Sequence, residues 1–151
     1  MSDYSPSATE VKILRETTAA GMMDCKRALV EIGCETDFVA GTDEFKSFAH
    51  EVALQISASG DARWISREDV PADAIESELE IFRAQAADKP ENVRDKIAQG
   101  KLDKWLSSVC LLEQPYVRDG DRSIDDLRTE IAAKTGENVQ IKRFTRYERG
   151  A

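Results

Sequence analysis

The sequence predicts an α+β fold: a small antiparallel sheet with helices packed on it, preceded by a truncated helical appendage. Three stretches carry that expectation. Ala28, Val30, Ile32 and Cys34 alternate with other residues, which is the period of a half-buried strand. Phe45, Phe48, Ala49, Val52, Ala53 and Ile56 form one stripe of an amphipathic helix over 43–57. Val139, Ile141 and Phe144 are the apolar members of a last strand over 138–147.

The chain has 151 residues, enough for one domain with a small appendage. Residues 1–28 are read as the truncated helical module and 29–151 as the core. The composition, 41% apolar and 33% charged, is that of a soluble globular protein. No run of about 18 apolar residues occurs, so no membrane helix is expected. Met1-Ser2-Asp3-Tyr4 lacks a basic region followed by an apolar stretch, so no secretory signal is expected either. Three cysteines without metal-ligand spacing suit a reducing compartment, and the expected location is the cytoplasm. A net charge of −8 argues against nucleic acid as a direct partner, because phosphate binding needs clustered Lys and Arg.

In order along the chain, Ser7-Ala8-Thr9-Glu10 reads as a capping box opening a helix. Val11, Leu14 and Thr18 share a face, and Ala19-Ala20-Gly21 is the turn to a second helix near Met22 or Met23. The next stretch carries two patterns. Met22, Cys25, Leu29 and Ile32 suit a helix; Ala28, Val30, Ile32 and Cys34 suit a strand. A short helix is marginal on its own, whereas a strand gains long-range pairing. The strand is therefore expected to win from about Leu29.

Thr42 is an N-cap, with Asp43 and Glu44 in the first turn of the amphipathic helix. His50 is expected on that helix's solvated face. Ser59-Gly60-Asp61 ends it, and Trp64-Ile65 packs back on the core. A helix over 72–87 carries the stripe Ile75, Leu79, Phe82 and Ala86. After Lys89-Pro90, a short helix runs to Gln99 with Gly100 as its stop, and another over 101–108 carries Leu102, Trp105 and Leu106. Leu111 to Val117 is a connector, and Asp119-Gly120 a turn. Ser123 opens the last helix, with Ile124, Leu127, Ile131 and Ala132 inward and Arg128 exposed; Gly136 ends it.

No phosphate-cradling loop is present. Cys34, His50 and Asp37 make a poor thiol triad, with a solvated histidine and no oxyanion-hole motif. Cys25, Cys34 and Cys110 read as small buried hydrophobes. Glu78 and Glu80 read as a solvated helix face. The residues therefore point to a non-enzymatic interaction protein. The informative stretch is Thr36-Asp37-Phe38-Val39-Ala40, on the connection from strand to helix. A Phe there either covers the end of its own helix or probes another protein's pocket.

Cys34-Glu35-Thr36-Asp37-Phe38-Val39-Ala40, followed by Thr42-Asp43-Glu44-Phe45, resembles the signature of the elongation factor Ts family of guanine-nucleotide exchange factors. Val11-Lys12-Ile13-Leu14-Arg15-Glu16, Thr18 and Ala20 to Leu29 resemble its other signature. Leu111 to Val117, Gly136-Glu137-Asn138-Val139 and Arg143-Phe144 also fit. The resemblance implies that the first helices begin a ubiquitin-associated-like module. Family members carry several dozen further residues before the Cys-Glu-Thr-Asp-Phe strand, and this sequence does not. That difference is either a real deletion or a linker missing from the sequence as it stands.

The resemblance implies a partner, the GTPase elongation factor Tu, and no cofactor, nucleotide or metal of the protein's own. Asp37 and Phe38, flanked by Thr36 and Val39, match the tip that presses in near the GTPase's magnesium and phosphate site. Arg15, Met22, Met23 and Lys26 match positions that contact its GTP-binding domain; helix packing is the other role open to Met22 and Met23. An exchange-defective paralogue that only binds protein is the alternative. A lost first strand would leave a sheet edge that invites pairing into a homodimer.

Overall fold

The computed structural model describes residues 26–148. The predicted N-terminal helices, with Arg15, Met22, Met23 and Cys25, lie outside the described residues. The elements in order are β1 (Lys26–Gly33), α1 (Asp37–Ala40), α2 (Asp43–Ser59), α3 (Ala72–Gln85), α4 (Glu91–Val109), β2 (Pro115–Tyr116), β3 (Asp119–Ser123), α5 (Ile124–Thr135) and β4 (Gln140–Glu148). Single 3-10 turns occupy Arg67–Asp69 and Leu111–Glu113. The class is α+β, as expected, with two small antiparallel sheets, β1–β4 and β2–β3.

The described residues divide into two compact units, 26–58 with 131–148, and 59–130. In the first unit β1 begins at Lys26, three residues ahead of expectation, and runs unbroken to Gly33. It pairs with β4 from Lys26↔Glu148 to Gly33↔Gln140, with a bulge between Glu31 and Ile32. The long-range pairing that favours strand over helix here is thus the pairing with β4. Glu31 and Arg143 face each other across the sheet as an ion pair.

α2 buries Phe45, Phe48, Val52, Ala53 and Ile56, as its stripe requires. Gln55 is buried too, and Glu51 and Leu54 are half-buried, so the helix is covered over more of its circumference than one stripe. That wider cover corrects the placement of His50. It is half-buried, with Nδ1 shut from water and without a hydrogen-bond partner. In α5, Ile124 and Ile131 are buried, but Leu127 is only half-buried. Arg128, expected in solvent, is half-buried and bonds Asp125 one turn back at 2.6 Å. Ser123 and Asp126 cap α5 reciprocally: the Ser123 N–H donates to Asp126 at 2.7 Å, and the Asp126 N–H to Ser123 Oγ at 3.1 Å. Gly136, at φ 70°, takes the left-handed conformation that ends the helix.

In the second unit, Val70, Leu102, Leu106, Val109 and Cys110 form a buried cluster. Trp64, Ile75, Leu79, Phe82 and Trp105 pack against it. Trp64 and Trp105 meet edge to face, centroids 5.9 Å apart. Burial pushes the Cys110 thiol up to about 11, which suits a small hydrophobe. Cys34, read as equally buried, is only half so.

Two sequence expectations fail in this unit. Gly100 does not stop a helix: α4 runs through it without a positive φ. Ala98, Leu102, Leu106 and Val109 bury one continuous face, which outweighs the roughly 1 kcal/mol that an interior glycine costs. The hairpin turns at Val117-Arg118, while Asp119 and Gly120 belong to β3. Arg67 ties its own 3-10 turn to the one at Leu111–Glu113 and to α4, bonding Glu113 at 2.5 and 2.8 Å and Asp103 at 2.9 Å. The Arg67 bond holds the Glu113 carboxylate below the ordinary glutamate range.

Candidate functional site: a clasped aromatic tip

The connection from β1 to α2 is built around two threonines. Thr36, in extended backbone, is the N-cap of α1 and accepts the Val39 N–H on its hydroxyl at 3.4 Å. The Ala40 N–H reaches the Thr36 carbonyl at 3.2 Å, and the Gly41 N–H the Asp37 carbonyl at 3.0 Å. Thr42 caps the next helix: its hydroxyl donates to the Val39 carbonyl at 2.7 Å and accepts the Phe45 N–H at 3.3 Å. The expected cap at Thr42 is present. The single helical turn before it carries no periodic pattern, because four residues are too few to show one.

A second set of bonds comes from the far end of the chain. Glu137 lies on the connection from α5 to β4. Its Oε2 accepts the backbone N–H of Glu35 at 2.9 Å and of Thr36 at 3.0 Å. Its Oε1 accepts the Thr36 hydroxyl proton. The exchange is mutual: Glu35 Oε1 accepts the Asn138 N–H at 3.1 Å. The Thr36 hydroxyl bond, aided by the two backbone N–H groups, holds the Glu137 carboxylate below its ordinary range. Sequence reasoning gave Glu137 no role. The residue sits next to the glycine that ends α5, but its partners are about a hundred positions away, and no local signal names them.

On this frame Phe38 stands 83% exposed, against 49% for Ile81, the next most exposed large hydrophobic among the described residues. Asp37 and Thr36 are exposed beside it. Val39 is not: it is 5% exposed, because one helical turn cannot present Phe38 and Val39 to the same side. Val39 is corrected from a partner-facing residue to one that anchors the tip inward. Lys26 enters β1 by its backbone. The Cys34 thiol donates to the Thr36 carbonyl at 3.3 Å rather than to a base. Among the described residues no three His, Cys, Asp or Glu side chains group as a metal site would need, and no helix is long and apolar enough to cross a membrane.

Among the described residues of this α+β chain, the most exposed large hydrophobic side chain stands on a turn braced from both ends. The elongation factor Ts family model matches residues 46–151. The chain is 42% identical to elongation factor Ts of Thermoanaerobacter sp. (strain X514), covering 95% of each chain. It is 44% identical to that of Carboxydothermus hydrogenoformans, over 93% of this chain and 87% of the relative. With elongation factor Ts of Thermotoga petrophila it shares 42% identity, over 93% and 94%. The chain belongs to the elongation factor Ts family, whose members are translation elongation factors. The first of these alignments spans 194 positions against 151 residues, so the relative carries residues with no counterpart here.

Proposed function

We propose that the chain is a guanine-nucleotide exchange factor for the GTPase elongation factor Tu, and that Asp37 and Phe38 form the tip that enters near its magnesium and phosphate site. The observation that carries this reading is the 83% exposure of Phe38 on a turn held by hydrogen bonds on both sides. Leaving an aromatic ring in water is costly, about 2 kcal/mol relative to burial, and a partner's pocket recovers that free energy. Further contacts to the GTP-binding domain come from Arg15, Met22, Met23 and Lys26.

Exchange needs no chemistry from the factor. A protein that binds the nucleotide-free GTPase more tightly than the loaded form weakens nucleotide binding by the same coupling free energy. A few kcal/mol of coupling speeds release by orders of magnitude. Asp37 brings negative charge and Phe38 bulk toward groups that hold the metal and phosphates, and both disfavour the loaded state. The test is stopped-flow release of fluorescent GDP from elongation factor Tu with increasing amounts of the chain. Acceleration that saturates is expected; release at the spontaneous rate at every concentration would contradict the reading.

A further inference from the structure

We propose that Glu137 is a positioning residue for exchange: it clasps the backbone at Glu35 and Thr36 and so holds the Asp37-Phe38 tip in its docking conformation before the GTPase arrives. The inference rests on the exchange reading and extends it to a residue that acts through the tip.

The tip cannot order itself. α1 is a single four-residue turn, far below the length at which a helix is stable alone. Phe38 contributes almost no burial, and Val39 is the one buried side chain in the turn. Order must therefore be imposed from both ends. At the C-terminal end Thr42 does so as the cap of α2. At the N-terminal end the β1–β4 ladder has stopped at Gly33↔Gln140. Beyond that pair the two strands are joined by carboxylates instead of by the backbone. Glu137 takes two N–H groups from the β1 side, and Glu35 takes the Asn138 N–H from the β4 side. Thr36 is the pivot, because the same hydroxyl donates to Glu137 and caps α1 at Val39. Losing Glu137 frees the cap residue and with it the direction of Phe38. A tip that must be ordered during docking loses coupling free energy to that ordering.

The test uses Glu137→Ala and Glu137→Gln in the full chain, titrated against elongation factor Tu in the GDP-release assay. Glu137→Ala is expected to lower the maximal release rate roughly tenfold, with the half-saturating concentration changed by less than about twofold. Glu137→Gln keeps a carbonyl oxygen for the two N–H groups and should recover most of the rate. In a Phe38→Ala background Glu137→Ala should cost clearly less than it does in the unmodified chain, since both act through the same tip. Amide hydrogen exchange should quicken at Glu35 and Thr36 while the β1–β4 ladder keeps its protection.

An unchanged maximal rate in Glu137→Ala overturns the proposal. So do losses that add to those of Phe38→Ala, or a ladder that loses protection along with the tip. If the unmodified chain does not accelerate release, the exchange reading falls and Glu137's part in exchange falls with it. The amide protons then still report whether the carboxylate orders the turn.

Discussion

Phe38 and Phe48 are the same side chain a short distance apart in sequence, and the fold uses them in opposite ways. Phe48 is 6% exposed on α2, and Phe38 is 83% exposed on α1. α2 is a seventeen-residue helix whose position is set by a buried apolar stripe. α1 is four residues set by hydrogen bonds from Thr36, Thr42 and Glu137. A segment fixed by burial has its aromatic committed to the core. A segment fixed by polar clasps leaves its aromatic free for another molecule. Where the hydrogen bonds go therefore decides which of the two rings is left exposed.

The largest expected effect lies on the buried side of this contrast. Phe48→Ala should destabilise the chain by about 3–5 kcal/mol, read from denaturant unfolding, through lost burial and the cavity left behind. Leu106→Ala, in the separate cluster of the second unit, should cost about 2–5 kcal/mol. A small loss at Phe48 would erase the distinction between the two rings.

Acid should affect the polar side selectively. The Glu137 carboxylate is held below its ordinary range in the folded chain. Its contribution is therefore complete above the unfolded glutamate value of about 4.3 and is lost as pH falls through the lower folded value. Protection of the Glu35 and Thr36 amides should drop in that acid range, and Glu137→Gln should flatten the dependence. Equal acid sensitivity with and without the Glu137 carboxylate would contradict its part in holding the turn.

The smallest effect is a gain. Gly100 is exposed inside α4, and a methyl group added there meets nothing within 4 Å. Gly100→Ala should stabilise by about 0.5–1 kcal/mol in thermal or denaturant unfolding, without altering exchange. Destabilisation would mean that α4 does need a break at that point.

These cases show what the sequence disclosed and what it did not. The stripe of α2, the Ser123 cap and the Gly136 stop each rest on residues within a turn or two of one another, and all are present. The outward position of Phe38 was legible because it falls on a strand-to-helix boundary. Gly100 misled because a local stop signal competes with a buried face that continues past it. His50 and Leu127 misled because one stripe does not reveal how far round a helix its neighbours reach. Glu137 was invisible because its bonds depend on the pairing of β1 with β4, which brings distant connections together. Val39 had the motif's identity but not its exposure, since a single turn divides adjacent residues between inside and outside.

The central claim is that the tip is rigid, outward-facing and functional. Asp37→Ala should slow release as well, but Phe38→Ala tests the claim most directly, with GDP release from elongation factor Tu and thermal melting measured on the same preparation. The expected result is release slowed about ten- to a hundredfold, with the melting temperature within about 2 °C of the unmodified chain. A melting temperature lowered by many degrees would make Phe38 part of its own core, and release at the unmodified rate would remove it from exchange.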